Sequence, residues 1–271
     1  MEFSSDQFQK WNEDLSCAIR SAGSEAFTSA LMAVIRHFLQ VDSMMVCLEK
    51  RNRAPTYLAD FGISAEKYEL TIDRYFSEIY MLDPFCFAVE NGLEEGFYHI
   101  SDIAPDDFFE SEFYQVYYVD LGVKDDCYFM FDIDKDTRLS VCVYHYSSQY
   151  LFSDQILSDA RSAFSIIKEL ALLAWGDSEH LAEQDDGSLH ANLERVFNQF
   201  GDSVLTDRER DVVQLIVRGH SSKSAARVLD IAPGTVQEHR KNAYRKLEIS
   251  SQSELFALFL RDIATTKEQS H

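Results

Sequence analysis

The sequence predicts an α+β domain followed by a small all-α domain, and three observations carry that expectation. Charge is divided unevenly: residues 1–204 hold 14 Lys+Arg and 37 Asp+Glu, while residues 205–271 hold 11 and 9, so a chain of net charge −21 joins an acidic segment to a mildly basic one. Aromatics divide the same way, since only Tyr244, Phe256 and Phe259 of the 35 lie beyond residue 204. Hydropathy alternates between helical and strand periods in the first segment and keeps the helical period in the second. The domains expected are 1–176, a linker at 177–203, and 204–271. The linker holds the polar, acidic, glycine-punctuated stretch GDSEHLAEQDDGS. After it, Leu189, Leu193, Val196, Phe197 and Phe200 share one helical face.

Within the first segment, helical spacing covers Ser4–Ser21 and Ala26–Leu39. Ser43–Glu49 and Pro55–Asp60 read as paired strands. Ala65–Val89 is mainly helical with a break at Asp83-Pro84, because the residue before proline avoids the helical region. Asp106–Asp120 reads as a further helix. Asp126–Asp132 and Arg138–Tyr146 form a hairpin around an acidic turn, and Ser153–Trp175 is a long closing helix with Ser153 as its N-cap. Hairpin-spaced strands flanked by helices suggest an α/β/α sandwich on an antiparallel sheet, as in PAS- and GAF-like domains. That likeness carries no function by itself.

Composition excludes several classes. Hydrophobic residues make up 46% and charged residues 26%, which suits a folded soluble chain rather than a fibrous or disordered one. No apolar run is long enough to span a bilayer, so no membrane partner is expected. MEFSSDQFQKWNED lacks the features of an export signal, which predicts a cytoplasmic protein. Five widely spaced cysteines then read as free buried thiols. Asp132, Asp134 and Asp136 begin like a calcium loop, but Thr137 and Val143 stand where that loop needs Gly and Glu, so a hairpin turn is the better reading. The histidines show no metal spacing, and no phosphate loop or nucleophile elbow is present. No cofactor, metal site or catalytic residue is predicted.

The second segment is the informative one. Thr206 and Glu209 stand at capping-box spacing before a helix that ends at Gly219. Ser221 caps a short second helix. Asp230–Gly234 is a turn, Pro233–Leu247 a third helix, and Gln252 to about Ala264 a fourth. This is the pattern of a helix-turn-helix. On the third helix, Val236, Ala243 and Leu247 fall on one side, with Gln237, Glu238, Lys241 and Arg245 opposite. Long polar and cationic side chains in such a row suit major-groove reading.

The run from Leu205 to Leu255 resembles the DNA-binding domain of LuxR-type transcriptional regulators, through Leu205, Thr206, Arg208, Glu209, Gly219, Lys223, Ala226, Leu229, Thr235, Val236, His239, Asn242 and Leu247 among others. It departs from that pattern at Ala232, Ser224 and Gln237. The resemblance implies a sequence-specific regulator, active as a homodimer on an inverted-repeat operator of double-stranded DNA. Gln237, Glu238 and Lys241 would face base edges, with Arg245 at the rim; Lys223, Thr235, Arg240 and Lys246 suit phosphates. The Leu255, Leu258 and Phe259 face and the Ser153–Trp175 helix are the expected contacts between copies.

The first segment resembles, more distantly, the family's autoinducer-binding domain. Asp83-Pro84 matches its Asp-Pro pair, Tyr98 stands where it usually has Trp, and Leu70 and Arg74 replace its Trp and Tyr, so that Tyr75 or Tyr68 must substitute. The resemblance implies a small-molecule effector contacted by Asp83, Tyr98, Tyr75 and Tyr68. The departures speak against long-chain acyl homoserine lactones, and an acidic, aromatic pocket suits a donor-rich or cationic ligand. Asp102 and Asp126 read as caps or turn residues. The alternatives are a ligand-independent or a standard lactone-responsive quorum-sensing regulator, and, less favoured, an enzyme or storage module fused to an interaction bundle.

Overall fold

The computed structural model describes residues 4–147, 151–177 and 188–269. Residues 178–187 of the expected linker and the Leu189 side chain lie outside the described residues. Helix α1 (Ser5–Ser21) opens on a capping box between Ser4 and Gln7. Helix α2 (Phe27–Ile35) stops before the Leu39 expected from periodicity, because Arg36 turns and its guanidinium Nε donates to Val41 O at 2.9 Å. Strands β1 (Ser43–Lys50), β2 (Thr56–Phe61), β3 (Gly96–His99), β4 (Asp125–Asp132) and β5 (Thr137–His145) make one antiparallel sheet in the order β2-β1-β5-β4-β3.

Each central strand buries both faces. Met44, Val46, Leu48, Cys127, Phe129, Phe131, Val141 and Val143 face α1, α2, α6 (Asp154–Ser162) and α7 (Phe164–Trp175). Met45, Cys47, Tyr128, Met130, Cys142 and Tyr144 face the other helical layer. The domain is therefore the expected α/β/α sandwich. The closing helix is two helices, because Ser162 Oγ donates to Asp159 O at 2.6 Å and stretches the Ala163 N bond to that carbonyl to 3.3 Å.

The second layer departs most from expectation. After α3 (Ala65–Tyr68) the chain continues as a π-helix over Glu69–Ile79, and Tyr114–Val119 is π-helical too. Wide π turns are rare and concentrate at functional places. Asp83 ends the first run, with Pro84 as the first residue of α4 (Pro84–Glu90). A short α5 (Ile100–Ile103) follows β3, a strand that periodicity did not announce. Four cysteines are buried as expected, but Cys17 is exposed on α1. Asp134 Oδ1 accepts from Asp136 N and Thr137 N, which makes the acidic run a hairpin turn.

The second domain comprises α8 (Ser188–Gln199), α9 (Asp207–Val217), α10 (Ser222–Leu229), α11 (Pro233–Lys246) and α12 (Gln252–Gln269). Leu255 and Phe259 correct one expectation. Both are buried, with the Phe259 ring 5.3 Å from Phe197 and 5.5 Å from Phe200. That apolar face is consumed inside the chain by α8, so it is not an open surface for a second copy. Leu173 on α7 remains 58% exposed.

Candidate DNA-reading helix and sensory layer

The candidate DNA-reading face is built by a tight turn. Asp230 adopts a left-handed conformation (φ +52°), and Ile231 N donates back to Ala226 O at 3.0 Å. Helix α11 starts on Pro233 with no side-chain cap from Ala232. Val236 and Ala243 are fully buried in the domain core. Gln237, Glu238, Lys241 and Arg245 are exposed together on the opposite side. Thr235 and Lys223 are exposed nearby, and the Arg240 guanidinium lies 5.1 Å from the Tyr244 ring centre.

Lys246 is placed differently. Its ammonium is 2.6 Å from Glu209 Oε2, the oxygen that also accepts Thr206 N at 2.8 Å. It therefore ties α11 to the capping box of α9. Burial pushes the Glu209 carboxyl up, but Lys246 and the Thr206 donors outweigh this and hold it below its ordinary value. The stabilisation is accordingly present at neutral pH and lost as pH falls through the lowered value. Glu209→Ala is expected to cost the second domain about 1–2 kcal/mol, read by urea unfolding. A loss that persists undiminished in acid would exclude this ion pair as its cause.

The two domains touch through polar and aromatic groups. Asp106 accepts Ser221 N at 3.3 Å and Ser221 Oγ at 2.9 Å at the start of α10, with Arg227 3.4 Å away. The Arg218 guanidinium lies between the Phe87 and Phe197 rings at 4.4 and 4.0 Å from their centres. Burial lowers its pKa to about 10 despite Glu90.

In the first domain the structure brings Tyr75 and Asp83 together. Asp83 is 5% exposed; its Oδ1 caps α4 by accepting Phe85 N at 2.8 Å, and its Oδ2 accepts the Tyr75 hydroxyl at 2.7 Å. Burial raises its pKa to about 6, against the lowering by these donors. Tyr98 stands opposite Tyr128 in the β3–β4 register but donates to Glu94 O. Tyr68 is 38% exposed at the end of α3. The four expected contacts thus divide into an inner pair and two residues outside it.

Sequence reasoning misplaced one residue. Asp102 does cap α5, its Oδ2 accepting His99 N at 3.0 Å. Asp126, read as a cap or turn residue, is instead fully buried on β4 and accepts the hydroxyls of Tyr118 (2.9 Å) and Tyr128 on Oδ2. Burial raises its pKa to about 7. The signal was available: Asp126 shares its alternation with Tyr128 and Met130, which face inward. A separate cleft of about 330 Å³ has Glu49, Tyr80 and Cys86 among its lining and a rim that includes Lys50, Arg51 and Arg53.

An α/β/α domain joined to a helix-turn-helix with an exposed, partly cationic helix face is the architecture of a two-domain regulator of transcription. Residues 203–259 match the luxR family of bacterial regulatory proteins, so the second domain is a LuxR-type helix-turn-helix. It is 29% identical over 191 residues to a protein of Aeromonas salmonicida described as an HTH-type transcriptional regulator, a match spanning 68% of this chain and 95% of that one. It is 36% identical over 75 residues to the response regulatory protein YgeK of Escherichia coli, covering 27% of this chain and 51% of that one. Its fold is similar to the VqsR LBD domain of Pseudomonas aeruginosa, with a TM-score of 0.54 at 22% identity, over 60% of this chain and 95% of that one. Among the described residues no helix is long and apolar enough to cross a membrane.

Proposed function

We propose that this chain is a cytoplasmic, sequence-specific regulator whose DNA binding is controlled by a small molecule held between the sheet and the π-helical layer. It acts as a homodimer on an inverted-repeat operator, and its effector is not a long-chain acyl homoserine lactone. The observation that carries this reading is the buried Asp83–Tyr75 pair at a proline-started helix, a polar group fixed inside an aromatic layer where a ligand needs it. Asp106 and Arg218 give the sensory domain a direct hold on α9 and α10, so rearrangement of the layer reaches the reading domain. An enzymatic role finds no support in the thiols, since burial pushes Cys47, Cys86, Cys127 and Cys142 all well up, away from the nucleophilic thiolate.

The test is a thermal screen of the full chain with and without operator DNA. A ligand present at about a hundred times its Kd adds about 2.7 kcal/mol of stability. Asp83→Asn should abolish that gain while leaving the ligand-free melting temperature nearly unchanged. Strong stabilisation by a long-chain lactone, or equal stabilisation of Asp83→Asn, would contradict the reading.

A further inference from the structure

The layer between the sheet and the π-helices holds two buried carboxyls and two buried polar atoms that lack a hydrogen-bond partner. Asp126 uses Oδ2 for two tyrosine hydroxyls, but its Oδ1, on a residue 0% exposed, has no hydrogen-bond partner. The Tyr117 hydroxyl, on a residue 3% exposed, has none either. Asp83 is a second buried carboxyl of this layer, and its charge opposes ionisation of Asp126. Among the described residues neither carboxylate has a Lys, Arg or His at ion-pair distance. Buried polar groups in folded proteins are nearly always partnered, and buried charges are paired, so this arrangement is incomplete as it stands.

The surroundings specify what would complete it. Tyr75 packs on Tyr117 with ring centres 5.4 Å apart, and Phe85 stacks on Tyr128 at 4.2 Å. Ring faces beside carboxylates attract a cation. An ionised Asp126 Oδ1 accepts hydrogen bonds and donates none, so it repels the carbonyl oxygens of a lactone or ester and welcomes N–H groups. Three of the tyrosines involved, Tyr75, Tyr117 and Tyr118, sit on the two π-helices.

We infer that this layer binds a primary ammonium ion carried on a small apolar body, with Asp126 Oδ1 and the Tyr117 hydroxyl oxygen as its hydrogen-bond acceptors and the Tyr75 and Tyr117 rings as its walls. The inference rests on the reading of the first domain as a small-molecule sensor and names the ligand class for it. Asp83 supplies the second negative charge, and the ammonium supplies the N–H donors that the protein lacks there.

The experiment uses the full-length protein and three probe pairs: butylamine against butanol, hexylamine against hexanol, and phenethylamine against 2-phenylethanol, at neutral pH and constant ionic strength. At least one amine should raise the melting temperature by about 5 °C or more near a hundred times its Kd, with no matching rise from its alcohol. Asp126→Asn keeps an oxygen for the Tyr118 and Tyr128 hydroxyls and should lose the amine shift. Tyr117→Phe removes only an unpartnered hydroxyl, so it should hold or raise the ligand-free melting temperature while weakening the amine about tenfold, equivalent to about 1.4 kcal/mol. If no amine exceeds its alcohol, or if Tyr117→Phe binds amines like the wild type, the ammonium assignment is overturned. Stabilisation by neutral ligands that Asp83→Asn abolishes would overturn the ammonium alone and leave the sensor reading standing. No stabilisation by any small molecule, with operator binding unaffected by all of them, would remove both.

Discussion

Raising the pH of the ligand-free protein from about 5 to about 8 should lower the stability of the first domain by on the order of 6 kcal/mol. Three fully buried carboxyls cause this. Burial raises Asp83 to about 6, and Asp126 and Glu49 to about 7, from ordinary values of 3.8, 3.8 and 4.5. Each folded carboxyl therefore holds its proton more tightly than the unfolded one. Its stabilising contribution is complete below the ordinary value and disappears as pH rises through the raised one. Urea unfolding across this range measures the slope directly. Asp126→Asn removes one of the three titrating groups, so it should make the profile shallower and be more stable than the wild type at the alkaline end. A flat wild-type profile would show that these carboxylates are solvated or paired in solution.

Lys241→Ala should weaken binding to the preferred operator by tenfold or more, in line with about 1–3 kcal/mol for a base-edge contact, and should flatten sequence preference. The residue is exposed on α11 between Gln237 and Arg245, on the side away from the buried Val236 and Ala243. Gln237, an amide where the family's pattern has a lysine, gives the same face a group able to pair with adenine. Lys223→Ala makes the contrast: it should weaken all sequences about equally and reduce the salt dependence by about one phosphate contact. Selection of bound sequences from a random pool, repeated with each variant, separates the two effects. An unchanged operator preference for Lys241→Ala would mean that another face of α11 meets the bases.

The second domain was legible in the sequence almost residue by residue. Capping residues, a glycine at a helix end, and apolar spacing of three and four are local signals, and each short helix here is decided locally. Thr206–Glu209, Ser221 and Gly219 all end or start helices as their chemistry requires. The sandwich of the first domain was legible for a related reason. Strands β1, β4 and β5 and helices α1 and α6 announce themselves by period, and a hairpin turn fixes which neighbours pair. The Asp83-Pro84 break also followed from a proline's constraint on its neighbour.

What the sequence could not settle lies wherever distant segments compete for the same group. Lys246 looks like a phosphate contact until Glu209, 37 residues away, claims its ammonium. Leu255 and Phe259 form an apolar face in any helical projection, but only packing shows that Phe197 and Phe200 cover it. Asp106 and Arg218 join the two domains through partners more than a hundred residues distant, for which no local pattern exists. The π-helices and the unpartnered Asp126 Oδ1 belong to the same class. Local periodicity and capping chemistry determined which elements form and where they end, because those energies depend on residues within a turn of one another. Burial, ion pairing and hydrogen-bond satisfaction were decided only in the tertiary structure, because they depend on what the rest of the chain brings into contact.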